Sequence, residues 1–200
     1  MMHMKSEAPR RYVQTRRAAA AAETAAKIMD AARTLFLQSG ELSALDEVAA
    51  RAGVSVQTVL RRFGSKEGLF RAAVAQSQAE VGAARGAVTP GDVDGAVDNL
   101  LEHYEALGAV ALRLLALADR TPAAAEVVAG GKALHRRWVD HAFGPQLADV
   151  APDDRRVLAA QLVAVTDVTV WSTLREQGLD AADLRRAVHG LVAGLIGRSP

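Results

Sequence analysis

The stretch from Leu45 to Lys66, LDEVAARAGVSVQTVLRRFGSK, constrains this chain more than any other. It reads as a short helix, a three-residue turn and a second short helix. Ala49 is small enough for a second helix to cross close to it. Gly53 falls where the chain must turn sharply, and glycine reaches left-handed backbone angles without a Cβ clash. Val59 is the apolar anchor of the second helix, with Val48, Ala52, Val54 and Phe63 completing a small shared core. This is the helix-turn-helix pattern, whose second helix enters the major groove of DNA.

Helical periodicity of about 100° per residue sorts the second helix into faces. Val56, Val59 and Phe63 fall together and are expected in the core. Gln57, Thr58 and Arg61 lie opposite, with Arg62 on the flank. Glutamine pairs with adenine and arginine with guanine in the major groove, and threonine bonds a base or a phosphate. Val56 is also available to a thymine methyl. Gln57, Thr58 and Arg61 are therefore the candidate base readers.

The run from Ala52 to Phe70, A-G-V-S-x-x-T-V-x-R-x-F-x-S-K-E-x-L-F, resembles the tetracycline-repressor (TetR) family of transcriptional regulators. Upstream, AAKIMDAARTLFLQSG, Ala25 to Gly40, is similar to that family's first helix. The resemblance covers roughly the first third of the chain. It implies an N-terminal DNA-binding domain, a variable helical C-terminal domain that often takes a small ligand, and a homodimer. It also implies that Lys66, the lysine of S-K-E, contacts the DNA backbone. Gln57 stands where the family commonly has glycine or proline, Leu60 where it often has a phosphate-touching tyrosine, and Arg62 where it often has histidine. The arginine can supply the phosphate contact in histidine's place.

Composition agrees with an all-α chain: alanine and leucine dominate, and alternating apolar–polar runs are scarce. There are no cysteines, so disulfides and thiolate metal sites are excluded. No segment approaches the ~18–20 apolar residues of a membrane span, and the N-terminus lacks the leucine-rich core of a signal peptide. A cytoplasmic protein with no membrane partner is expected. The net charge of +1 hides an asymmetry: residues 1–76 hold 12 Lys/Arg against 7 Asp/Glu, and residues 77–200 hold 12 against 16. A basic front and an acidic back suit a DNA-reading head on a body that avoids DNA.

Three regions are expected: a basic flexible tail over 1–21, a helix-turn-helix domain over 22–71 and a helical ligand-binding and dimerisation domain over 72–200. Arg10, Arg11, Arg16 and Arg17 make the tail basic, as either a phosphate-contacting arm or a solubilising segment. The first helix is expected from about Ala22 to Ser39, with Ile28, Ala32, Leu35 and Phe36 as its stripe and Gly40 as its stop. Ser43 is expected to cap the next helix, and Ser65 the one that follows Phe63. Gly82, Gly86, Pro90 and Gly91 mark the domain boundary. Beyond it, Asp92 caps a long helix to about Ala118, with a kink near Gly108. Thr121-Pro122 starts another helix, interrupted at Gly130-Gly131 and stopped by Gly144-Pro145. The next runs from Pro152 to about Gln177, and Asp180 caps the last.

From Val157 to Leu174 the chain is apolar on nearly every side, which calls for burial on all sides. The last two helices therefore read as a homodimer interface forming a four-helix bundle with its mate. Leu158, Leu162, Val165, Leu184, Val188, Leu191 and Leu195 are its candidate residues.

No nucleophile elbow, phosphate-binding glycine loop or H-E-x-x-H motif is present, and His135 and His141 lie six apart on different helix faces. No catalytic residue, metal or cofactor is expected. The better constellation is aromatic plus polar: Tyr104, Trp138, Phe143 and Trp171 with His103, Arg113, His135 and Asp167. His103, Tyr104, Trp138, Asp167 and Trp171 are the candidate lining of a small-molecule effector site. Asp167 is expected in mid-helix, paired with a ligand amine, an arginine across the dimer or a nearby threonine hydroxyl.

The reading is a ligand-responsive repressor that binds a palindromic double-stranded operator as a homodimer. Val56, Gln57, Thr58 and Arg61 would read bases, and Arg62, Lys66, Arg16 and Arg17 would hold phosphates. The rival reading is a helical small-molecule-binding or enzyme-like protein whose helix-turn-helix is only scaffold.

Overall fold

The computed structural model describes residues 8–39 and 41–197, with side chains from Arg17 onward. All regular structure among them is helical. The chain divides into two compact units, Met1–Ala75 and Gln76–Pro200. The division falls inside a continuous helix, not at the glycines between residues 82 and 91, because that helix runs unbroken from Lys66 to Arg85.

In the first unit, α1 spans Ala8–Ser39, α2 Leu45–Ala52 and α3 Val56–Phe63, and α4 (Lys66–Arg85) begins. The backbone of α1 is helical from Ala8, earlier than the expected start near Ala22. An alanine-rich run, Ala18 to Ala22, has the highest helix propensity available and carries the helix backwards. Residues 1–7 of the expected tail, the stop at Gly40 and the side chain of Arg16 lie outside the described residues. Ile28 and Ala31 bury the inner stripe of α1 against Val48 and Ala49 of α2, Val59 of α3 and Leu69 of α4, with Ala32, Leu35, Ala52, Val54 and Phe63 packed around them; the buried Phe36 packs on Phe70, ring centroids 5.8 Å apart.

In the second unit, α5 spans Val93–Ala118, α6 Pro122–Ala142, α7 Gly144–Ala148, α8 Pro152–Val165, α9 Val168–Glu176 and α10 Ala181–Ile196. Helices α5, α6, α8 and α10 enclose a core of Val97, Leu100, Tyr104, Trp138, Val139, Phe143, Leu162, Leu184, Val188 and Val192. Asp92 and Asp180 cap α5 and α10, accepting from the backbone N–H of Gly95 and Asp183 at 3.0 and 2.8 Å. No single described helix is long and apolar enough to cross a membrane.

Several expectations are corrected here. Helix α6 runs straight through Gly130-Gly131. Two glycines cost a helix about 2 kcal/mol, but burial of Ala123, Ala124, His135, Trp138 and Val139 on one face holds it together. Gly144-Pro145 ends α6 but also opens the short α7. The long helix expected from Pro152 to Gln177 is two helices, α8 and α9, bent by 45° across Thr166-Asp167. Thr166 Oγ1 donates back to Leu162 O at 2.6 Å, and Asp167 accepts from the N–H of Thr169 at 2.9 Å as the cap of α9. The two polar side chains thus serve the broken backbone that a continuous helix would satisfy by itself.

Candidate nucleic-acid interface and the polar centre of the second unit

The turn between α2 and α3 is built by Gly53. Its φ of 68° is left-handed. Its N–H reaches Ala50 O at 3.3 Å while Val54 N–H reaches Ala49 O at 3.0 Å. This pair of bonds is the Schellman stop, and it turns Val54 back onto the small core. Ser55 then starts α3, its Oγ accepting from Thr58 N–H at 3.2 Å and lying 2.9 Å from Thr58 Oγ1. At the next junction, Ser65 Oγ accepts from Gly68 N–H at 3.0 Å. The Glu67 carboxyl is held below its ordinary pKa by its own backbone N–H and by Ser65. Ser43 does not cap α2. Ala44 holds that position without a side-chain bond.

Helix α3 presents Val56, Gln57, Leu60, Arg61 and Arg62 to solvent, and only Val59 is fully buried. Val56, expected in the core, is 36% exposed and Leu60 41%. They are one turn apart, beside Gln57 and Arg61, which are also one turn apart. The helix is short, and its inner side is filled by Val59 and Phe63, so Val56 at its first position overhangs the core. Thr58 is half-buried, with its hydroxyl 2.9 Å from Ser55 Oγ. Lys66 is half-exposed at the first position of α4, and Arg17 is exposed. The outward surface of α3 is therefore an amide, two guanidinium groups and two aliphatic side chains, the chemistry that reads base edges and thymine methyls in the major groove.

Residues 28–73 match the family model of bacterial regulatory proteins, tetR family. Over that stretch, which holds α2 and α3, the chain is similar to the DNA-binding domain of the TetR family. Solved structures agree on the whole fold. A transcriptional regulator from Rhodococcus sp. Rha1 superposes with a TM-score of 0.68 at 22% identity, over 86% of this chain and 96% of that one. GusR from Salmonella enterica does so with a TM-score of 0.66 at 20% identity, over 88% and 96%. No curated protein matches the chain. Helices α2 and α3 lie within the matched stretch and form its helix-turn-helix.

The second unit has a polar centre. Tyr104 on α5, His135 and Trp138 on α6, Thr166 after α8 and Arg85 at the end of α4 are all buried. The Tyr104 hydroxyl donates to Thr166 O at 2.8 Å. Arg85 Nη2 lies 3.2 Å from His135 Nδ1. An arginine can only donate, so Nδ1 accepts and Nε2 carries the imidazole proton, toward Thr166 Oγ1 at 3.1 Å and Val163 O at 3.3 Å. The Arg85 guanidinium also stacks over the Trp138 ring, its Cζ 4.3 Å from the centroid, a cation–π contact. Burial, followed by repulsion from Arg85, pushes the pKa of both His103 and His135 down to about 4. Both are neutral at neutral pH. Burial also raises the Tyr104 phenol above its ordinary value and lowers Arg85 to about 10.

Of the five candidate effector residues, four gather here. His103 packs on Tyr104 at 5.4 Å between ring centroids, and Tyr104 on Trp171 at 5.9 Å. Trp138 stacks on His135 at 5.7 Å. Asp167 is corrected: it is not a mid-helix carboxylate but a helix cap, and the threonine-hydroxyl partner is the one realised, Thr169 Oγ1 at 2.6 Å. Arg113 is exposed. Arg85 was not among the candidates. Its only signal in the sequence is that it is the one charge in the run VGAARGAV.

The seven candidate dimer residues divide as well. Leu158, Leu162, Leu184 and Val188 fill the chain's own core; Val165 and Leu195 are half-buried, and Leu191 is 41% exposed. The outward faces of α8 and α10 carry Val157, Ala160 and Ala164, and Gly190, Leu191 and Gly194. Those four are corrected from interface to core positions, because they face inward within the unit.

Proposed function

We propose that the protein is a ligand-responsive repressor that binds a palindromic operator as a homodimer. The observation that carries this reading is the outward face of α3, where Gln57 and Arg61 stand one turn apart with Val56 and Leu60 beside them. Gln57 and Arg61 read adenine and guanine edges, and the two aliphatic side chains read thymine methyls. Arg62, Lys66 and Arg17 hold phosphates and set the register.

A homodimer places two such heads on half-sites about one helical turn, ~34–36 Å, apart or slightly more. The outward faces of α8 and α10 support it. An added Cβ at Gly190 or Gly194 meets nothing within 4 Å, so a partner helix can approach the backbone closely between Leu191 and Val157. Effector binding in the second unit would favour a conformer with the wrong head spacing, and by linkage DNA and effector then weaken each other equally.

The test is a footprint on fragmented genomic DNA, followed by titration of the protected site at several salt concentrations. Arg61→Ala should relax base preference at one position per half-site. Lys66→Ala should weaken all sequences alike and reduce the salt slope by about one for each head. Unchanged base preference and salt slope in both variants would refute the assignment of the face.

A further inference from the structure

Arg85 is 4% exposed, and among the described residues no carboxylate pairs with it. Its hydrogen-bonding partner, His135, is a neutral imidazole that accepts one N–H. The remaining environment is the Trp138 face, Tyr104 and His103. The acid that acts on this group of residues, Asp167, is committed to the cap of α9. A buried guanidinium without a counter-charge is costly, and the cost is relieved when an anion pairs with it. Two further donors point the same way. Arg85 Nε and Trp138 Nε1 are both fully buried without a hydrogen-bond partner among the described residues, and both belong to the same cation–π stack. Buried N–H groups are almost always paired, so two orphans in the same stack mark a place for an acceptor.

We propose that Arg85 and Trp138 bind the carboxylate of a small apolar organic acid, and that this is the effector class of the second unit. The identification of the acid as effector rests on the ligand-responsive reading above. A carboxylate has two acceptor oxygens for the two orphan N–H donors, and charge-assisted bonds of this kind are the strong ones. A single negative charge matches the site. Both histidines are neutral, so Arg85 is the one buried cation among them, and a dianion such as phosphate would keep an unpaired charge. The aromatic side chains of Tyr104, Trp138 and Trp171 favour an apolar body on the acid. Arg85 is also the last residue of α4, whose first residue is Lys66, so the acid would act on the helix that begins in the DNA-binding unit.

The experiment uses the full-length protein, with benzoate and hexanoate as probes, benzamide and hexanamide as neutral controls, and chloride and phosphate at matched concentration. At a hundredfold excess over Kd, a bound acid should raise Tm by about 5–10 °C, and the amides should not. Arg85→Met should abolish the shift while leaving the acid-free protein as stable as the wild type or more so. Should Arg85→Met fail to fold, Arg85→Lys carries the test, with acid affinity weakened about tenfold. Stabilisation by the amides, by phosphate or chloride alone (an adventitious ion only), or undiminished in the Arg85 variant that folds, would overturn the proposal. So would the absence of a shift with either acid. Operator binding is measured alongside. An acid that binds through Arg85 without altering operator affinity upholds the site and refutes the ligand-responsive reading; operator release by neutral compounds alone does the reverse.

Discussion

Gly108 offers the sharpest quantitative test of the packing in the second unit. It is buried in mid-helix on α5, where glycine costs about 1 kcal/mol relative to alanine. On propensity alone, Gly108→Ala should stabilise the protein. The structure says otherwise, because a Cβ added there lies 2.5, 2.7 and 3.0 Å from three atoms of the Trp171 ring. Restoring ordinary contact at 3.4 Å requires the ring edge to retreat by about 0.9 Å. The indole has little freedom to do so. It packs on Tyr104, and its Nε1 donates to Glu105 Oε1 at 3.4 Å. Overpacking of this kind costs about 1–3 kcal/mol. Set against the helix gain, the net is a loss of about 1 kcal/mol, or a Tm lower by roughly 2–4 °C. In a Trp171→Leu background the ring edge is gone, and the same Gly108→Ala change should now stabilise by about 1 kcal/mol. The coupling between the two sites is then about 2 kcal/mol, read from urea unfolding of the four proteins of the cycle by circular dichroism. If Gly108→Ala stabilises the wild-type chain as much as it does Trp171→Leu, the close approach of α5 and α9 is not as described.

Two further predictions concern pH and the DNA-binding unit. His135 has a pKa near 4 in the folded protein against about 6.5 unfolded, so the unfolded chain takes up the proton first as pH falls. The stabilisation is complete above pH 6.5 and is lost progressively toward pH 4, by on the order of 3 kcal/mol for this residue; His103, shifted in the same direction, adds to it. Urea midpoints should fall between pH 7.5 and 5 and fall less in His135→Gln, and equal pH dependence in the two proteins would contradict the buried neutral imidazole. In the first unit, an added Cβ at Gly68 would lie 2.1 Å from the backbone oxygen of Phe63, which cannot move without shifting the α3–α4 junction. Gly68→Ala should therefore destabilise the unit by about 2 kcal/mol and weaken operator binding; a melt indistinguishable from wild type would show that the junction yields freely.

The pattern from Leu45 to Phe70 was readable because its constraints are local. Gly53 is required by a left-handed φ, Ser55 and Ser65 by the free N–H groups of the helices they start, and Val59 by the single buried position of a two-turn helix. The misreadings in the same region are also physical. Period alone put Val56 with Val59, but a helix of two turns has one inward position that the neighbouring helices fully cover, and the first residue overhangs. Ser43 and Asp167 show the limit of cap signals. A capping side chain is recognised by its residue type, but which residue becomes the cap depends on where the backbone breaks, and α8 breaks at Thr166 because Tyr104 and His135 meet it there.

What the sequence determined by itself was an all-helical chain with a helix-turn-helix head, since helical period, capping residues and turn glycines act within a few residues of one another. What only the tertiary structure decided was the chemistry of the second unit. Arg85, His135, Trp138 and Thr166 are separated by up to 81 residues, and nothing in their spacing signals that they meet. Their significance lies in what each lacks among the described residues or lends to the others — a buried cation without an acid, a histidine held neutral, two N–H groups without acceptors. Those are properties of desolvation and distance, which arise only when the helices close around them.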